Sequence, residues 1–230
     1  MRTSPLLHRD NPDKGPLIGH VKVTREDWLN AARDLLVSTG VSEVKILALA
    51  TRLGVSRSSF YWYFGSRDDL LAALLEDWKL RNTRSIIDHC ARPSRNISHG
   101  VCNFFRSFID GGQFDPGLDF AIREWARRDE NVRAAIDTAD AARLEAVHQI
   151  FLRHTYADPE ADARARILYF MQLGYHALDF RENVATRMSR VPAYLHGFTG
   201  QHAEARDIDE FLAFAVANAP QSRIHRAARP

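Results

Sequence analysis

Cysteine is scarce in this chain: 230 residues carry two, Cys90 and Cys102. They form no metal-ligand pattern and no disulfide framework, so a reducing cytoplasm is the expected compartment. Long apolar runs are missing as well. None approaches the roughly 18 residues of a membrane-spanning helix, and the first residues lack the apolar centre of a signal peptide. No Gly-x-Ser-x-Gly and no glycine-rich strand-to-helix turn occurs, which removes the usual nucleophile elbow and phosphate loop. His148 and His154 lie six apart and share no helix face with a carboxylate in zinc spacing. No catalytic residue, metal or cofactor is therefore expected, and the chain does not read as an enzyme. Strand-like alternation and internal repeats are absent too.

Charge of one sign is also lacking. The net charge is only +2, so the whole molecule is no polycation. The small positive excess is uneven. Residues 1–85 hold 13 basic and 10 acidic groups, whereas 86–230 hold 18 and 19. One local absence is more telling: no acidic residue lies between Val44 and Arg67, a stretch that includes Lys45, Arg52 and Arg57. A surface that approaches phosphates is depleted of carboxylates in this way.

That stretch contains the segment around which the rest is arranged, Ala48 to Phe64. It reads as a short helix, a tight turn and a second short helix. Gly54 ends the first, because glycine enters the left-handed region without a Cβ penalty. Ser56 is placed to cap the second. Leu49, Leu53, Val55, Phe60 and Phe64 supply a small core, extended by Val44 and Leu47, and Ala50 lets the two helices cross closely. Outward are Arg57, Ser58, Ser59, Tyr61, Trp62 and Tyr63. Arginine can bond guanine O6 and N7 with a two-pronged fork. Serine and tyrosine hydroxyls reach base edges or phosphate oxygens.

Gly54-Val55-Ser56, then Phe60-Tyr61-Trp62-Tyr63-Phe64, then Ser66-Arg67-Asp68-Asp69-Leu70-Leu71 resembles the DNA-binding signature of the TetR family of transcriptional regulators. The resemblance covers Thr24 to Leu75, about a quarter of the chain. Leu53 stands where alanine is commoner, Ser58-Ser59 where Gly-Thr or Pro-Ser is frequent, and Arg67 where lysine is usual. The resemblance implies an all-α protein: a three-helix helix-turn-helix domain, joined by a long helix to a helical ligand-binding and dimerisation domain. It implies a homodimer on a palindromic double-stranded DNA operator, released by a small organic effector. The expected DNA-binding residues are Lys45, Arg57, Ser58, Ser59, Tyr61, Trp62, Tyr63 and Arg67. The first three after Lys45 would face base edges with Tyr61 beside them, and Trp62, Tyr63 and Arg67 would position the backbone. Two alternatives stand beside repression: an activator of the same fold, and a helical scaffold that has lost specific DNA binding.

The remaining chain divides as follows. Residues 1–20 and 220–230 read as disordered tails, 21–66 as the DNA-binding domain and 67–219 as the helical body. Arg2 and Arg9 are candidates for a minor-groove arm. Thr24 caps a first helix with Trp28, Ala31, Ala32, Leu35 and Leu36 on one face, stopped by Gly40. Ser66 caps a helix to about Cys90, a rod able to carry a tilt between domains. Further helices run from about Arg95 to Ile109, stopped by Gly111-Gly112, then from Asp115-Pro116 to near Arg128, from Asn131 to His154, from Asp158-Pro159 to about Leu178, and from a cap at Asp207. The segment Ala121 to Ala126 also resembles the family's ligand domains. Residues 183–206, with Pro192, Gly197 and Gly200, read as loop. The body thus has about six helices. By the resemblance, 159–181 and 207–218 pair with their mates as a four-helix dimer interface. Aromatic and polar residues within the body are the candidate ligand contacts: Phe104, Phe105, Phe108, Trp125, Phe151, Tyr169, Phe170, Tyr175 and His176.

Overall fold

The structure is a computed structural model that describes residues 23–110, 114–178 and 182–218. The expected tails, Arg2, Arg9 and the Gly111-Gly112 stop lie outside the described residues. Every regular element among the described residues is helical.

Helix α1, Arg25–Thr39, opens with a reciprocal cap. Asp27 N donates to Thr24 Oγ1 at 3.2 Å, and Thr24 N donates to Asp27 Oδ2 at 2.7 Å. Two orphan amides are satisfied at once, and the carboxylate sits at the positive end of the helix dipole. Trp28, Leu29, Ala31, Ala32 and Leu36 face inward. A 3₁₀ turn, Val41–Glu43, leads to α2, Ile46–Leu53. Gly54 caps α2 in the left-handed region at φ +68°, with nothing within 4 Å of where a Cβ would stand. Gly54→Ala is therefore a pure backbone perturbation, expected to cost about 1–2 kcal/mol in a urea melt. Leu47 is a correction: it faces solvent at 65% exposure rather than joining the small core.

The expected rod is present, with a modification. Helix α3, Arg67–Trp78, passes through a π-helical turn, Lys79–Thr83, into α4, Arg84–Ala91. Ser66 Oγ caps it by accepting from Asp69 N at 3.1 Å. The π turn inserts extra backbone and turns Asn82 and Thr83 into the interior.

Seven helices follow among the described residues, where about six were expected. They are α5 Ile97–Ile109, α6 Pro116–Ala126, α7 Glu130–Arg153, α8 Asp158–Ala177, α9 Val184–Ser189, α10 Val191–Thr199 and α11 Ala205–Asn218. The additional ones come from 183–206, read as loop on its proline and glycines. Pro192 instead stands in the first turn of α10, where no intrahelical amide is lost. Gly200 is the left-handed cap of α10 at φ +71°. Pro192 and Gly200 thus mark the ends of a helix that Gly197 does not interrupt. Asp207 is a second correction. It lies within the first turn of α11, almost fully buried, accepting from Asn96 Nδ2 at 2.8 Å and paired with Arg95.

Two apolar cores result. One begins with α1, α2, the Phe60 turn and α3, then continues into Leu118, Ile122 and Trp125 of α6 and Val132 and Ile136 of α7. Helix α6 packs on both α1 and α7, so this core runs past residue 66. The other gathers Ile86, Val101, Phe104, Ile150, Phe151, Leu168, Leu195 and Phe211. At the crossing of α5 and α7, a Cβ on Gly100 would come within 2.7 Å of Ile150 Cγ2.

Candidate nucleic-acid interface and ligand cavity

The segment after Gly54 is helical but not an α-helix. Arg57–Trp62 forms a 3₁₀ helix, and Ser56 makes no side-chain cap to it. Its Oγ lies 2.9 Å from Ser58 Oγ instead, while its carbonyl accepts from Ser59 N at 3.1 Å and Ser59 Oγ at 2.7 Å. Six residues rich in aromatics and serine nucleate an α-helix poorly. Tertiary packing holds them: Phe60 is fully buried, edge-on to Trp28 at 5.3 Å and stacked on Phe64 at 5.4 Å.

Phe60 thereby sets what its neighbours present. Arg57, Ser58, Tyr61 and Trp62 are exposed, Trp62 at 81%. Among the described residues the Arg57 side chain has no hydrogen bond or ion pair. Lys45 is also exposed, with Nζ 3.2 Å from both oxygens of Glu43. Such an exposed pair contributes little and exchanges readily. Ser59 is half-buried.

Two of the expected contact residues are placed otherwise than the sequence suggested. Tyr63 is not outward: it is half-buried and its hydroxyl donates to Val23 O at 2.7 Å, tying down the chain before α1. Arg67 donates from Nε to Val44 O at 2.7 Å and from Nη2 to Val41 O at 2.6 Å. Its fork braces the 3₁₀ turn ahead of α2, where Val41 O also accepts from Val44 N at 3.2 Å. Both side chains brace the reading unit.

Behind that unit lies a buried polar cluster absent from the sequence reading. Asp119 and Arg143 are both fully buried and paired at 3.0 Å. Trp78 Nε1 donates to Asp119 Oδ1 at 2.7 Å, and Arg123 Nε meets Oδ2 at 3.0 Å. Arg123 and Tyr169 both reach Asp140, at 2.6 and 2.7 Å. From the π turn, Asn82 Nδ2 donates to Asp115 O at 2.8 Å and Thr83 Oγ1 accepts from Arg143 Nε at 3.1 Å. Burial pushes the Asp119 carboxyl up, but the charges of Arg143 and Arg123 outweigh it and hold the group below its ordinary value. A signal existed: Arg143 occupies the apolar register of α7, in line with Val132, Ile136, Ala139, Val147 and Ile150.

The body holds a cavity of about 300 Å³ between α5, α8, α9, α10 and α11. Of the nine candidate ligand residues, Phe105, Phe108, Tyr175 and His176 line it. The other five do not line it. Phe104 and Phe151 are fully buried core. Tyr169 belongs to the polar cluster. Trp125 lines a different groove, and its indole donates to Asp129 at 3.2 Å. Phe170 is half exposed on the outside of α8. Periodicity cannot tell the inner face of a helix from the face that lines a void. Among the lining residues missed were Cys102, Met171, Gln172, Arg187, Met188 and Tyr194; the last three, with Val191 and Leu195, come from the segment read as loop.

His176 borders both spaces. It touches the cavity and the groove beside the end of α1 and the face of α6. Gln172 Nε2 lies 2.7 Å from its Nε2. Burial lowers its pKa, Asp119 opposes that and Arg187 adds to it, so the imidazole is neutral at pH 7. Among the described residues no helix is long and apolar enough to cross a membrane.

Residues 29–74, from α1 into α3, match the model of bacterial regulatory proteins, tetR family. Tetracycline repressor protein class C of Escherichia coli is 28% identical over 125 residues, which is 53% of this chain and 57% of that protein. The HTH-type transcriptional regulator EthR of Mycolicibacterium smegmatis is 34% identical over 85 residues, 35% of this chain and 39% of that protein. The matches thus span little more than half the length of these curated relatives at most. Among solved structures, Salmonella enterica GusR aligns with a TM-score of 0.57 at 17% identity, over 77% of this chain and 95% of that one. The reduced form of Escherichia coli NemR aligns at 0.54 and 20% identity, over 77% and 95%. These two likenesses concern the fold. Residues 29–74 thus match the model of the tetR family of bacterial regulatory proteins, and they are carried on an all-helical body whose fold resembles that of these structures.

Proposed function

We propose that the protein is a cytoplasmic transcriptional repressor, a homodimer that binds a palindromic DNA operator and leaves it when a small organic effector fills the cavity. One observation carries the reading. On the turn Arg57–Trp62, Arg57, Ser58, Tyr61 and Trp62 stand in solvent while Phe60 anchors the turn in the core. Four such side chains held outward by one buried ring suit base and phosphate contact better than any packing role. In a dimer the two turns would meet half-sites about one helical repeat apart, roughly 34–36 Å. The dimer face is drawn from Ile167, Phe170 and Leu178, an exposed apolar stripe along α8, with Val216 on α11. Its helical spacing supports the four-helix arrangement.

Coupling would run through shared packing. Helix α6 contacts both α1 and α7, and His176 lies between the cavity and the groove beside α1. A ligand that favours one placement of α6 would shift the reading units to a spacing unsuited to the operator. Affinity would fall by the ligand's preference for that state.

The test is a titration of the purified protein on its own upstream intergenic DNA at two salt concentrations, beside Arg57→Ala and Tyr61→Phe. Sequence-specific binding is expected, weakened about tenfold to a hundredfold by Arg57→Ala and less by Tyr61→Phe. Both side chains are exposed, so the fold is unaffected. Binding that ignores sequence and both substitutions would replace this reading with the scaffold one. Activation at the same operator would change the sign alone.

A further inference from the structure

The cavity has one cationic corner in an otherwise apolar wall. Its body is formed by rings such as Phe105, Phe108 and Phe211 and by Leu195. At the corner stands Arg187 of the short helix α9, half-buried. Its Nη1 donates to the Tyr175 hydroxyl at 3.3 Å, and the guanidinium lies 5.5 Å from the Tyr175 ring centre. Its Nε is buried without a hydrogen-bond partner. Among the described residues no carboxylate pairs with it. The nearest acid in sequence, Glu182, is paired with Arg190.

We propose that the cavity takes a small monocarboxylate with an apolar, ring-bearing body, its carboxylate held by Arg187. This inference rests on the cavity being the effector site. A guanidinium with an unmet buried donor incurs a desolvation cost that a neutral ligand does not relieve. A carboxylate relieves it and matches the planar fork. The charge is limited to one, because Arg187 is the sole cation of the lining among the described residues. The adjoining Gln172 and neutral His176 add hydrogen-bonding capacity but no charge. The volume, about 300 Å³, lies at the lower end for small-molecule sites and favours a single ring with a short chain.

The experiment is calorimetric titration of the full chain with 4-phenylbutyrate and its uncharged counterpart 4-phenylbutanol. Wild type is compared with Arg187→Gln and with Ala215→Leu, which places bulk in the cavity wall. Wild type is expected to bind the acid at least tenfold more tightly than the alcohol. Arg187→Gln brings the acid down to the alcohol's affinity and leaves the alcohol unchanged, and Ala215→Leu weakens both. Unchanged alcohol binding also shows that the Arg187 variant is folded. Equal affinities in wild type, a preference that survives Arg187→Gln, or no binding of either compound would overturn the proposal. Operator affinity read on the same samples separates the two ideas. Acid binding that leaves DNA affinity unchanged upholds the ligand class and removes the coupling. Loss of sequence-specific DNA binding removes the regulator and leaves the acid preference to stand by itself.

Discussion

Asp119→Leu is expected to destabilise the protein by about 3–5 kcal/mol, because it leaves the fully buried Arg143 without its counter-ion. For a chain of this length that corresponds to a melting point lower by about 6–20 °C. Asp140 does not substitute, since it lies 3.8 Å from Arg143 and already holds Arg123 and Tyr169. The double variant Asp119→Leu/Arg143→Met should recover most of the loss, as a buried pair replaced by apolar groups of similar volume is often neutral. Paired thermal melts check both. A double variant no more stable than the single one would show that the cluster holds the π turn in place by its hydrogen bonds and not by charge balance. The same cluster has a pH signature. The Asp119 carboxyl is held below its ordinary value of 3.8, so the native state binds fewer protons there than the unfolded chain. The stability it confers is complete above that value and fades as pH falls below it. A melting point that declines from pH 4 towards pH 2 in wild type, and less so in the double variant, is the expected result.

Phe60→Ala should cost about 3–5 kcal/mol, the range for deleting a buried aromatic, and should abolish DNA binding. Phe60 is the fully buried anchor of a 3₁₀ segment with weak helical preference of its own, wedged between Trp28 and Phe64. Without it Tyr61 and Trp62 lose the frame that turns them outward. Phe60→Leu retains most of the apolar volume and should lose under half as much. The core that holds Phe60 extends into α6 and α7, so the loss is expected in a single global melt. Hydrogen exchange decides between that and local fraying. Exchange that quickens only in residues 23–66, with the body unchanged, would show that the reading unit opens independently.

Most of the helix-turn-helix region was legible in the sequence, because it depends on local chemistry. The capping pair Thr24 and Asp27, the left-handed Gly54, and the spacing from Gly54 to Leu71 need nothing beyond their neighbours to act. A stretch free of carboxylates from Lys45 to Ser66 is likewise a property of the chain alone. The α-helical periodicity of α1 determined its inward face, and the caps and stops along the chain pointed to the all-α class.

What escaped the sequence depends on groups distant along the chain. Tyr63 and Arg67 look like contact residues until the carbonyls of Val23, Val41 and Val44 are placed beside them. The 3₁₀ form of Arg57–Trp62 follows from the pull of Phe60 into a core built by α1 and α3. The 183–206 segment carried a proline and two glycines, and only its docking on α5 and α8 shows that Pro192 starts a helix, Gly197 lies within it and Gly200 ends it. Arg143, Asp119 and Arg187 could each be solvated charges by sequence. Tertiary structure alone removed water from the first two and left the third facing an apolar void. Local sequence thus determined the reading unit and the helices. The burial of charge, and with it the cavity's chemistry, was decided where helices far apart in the chain exclude water together.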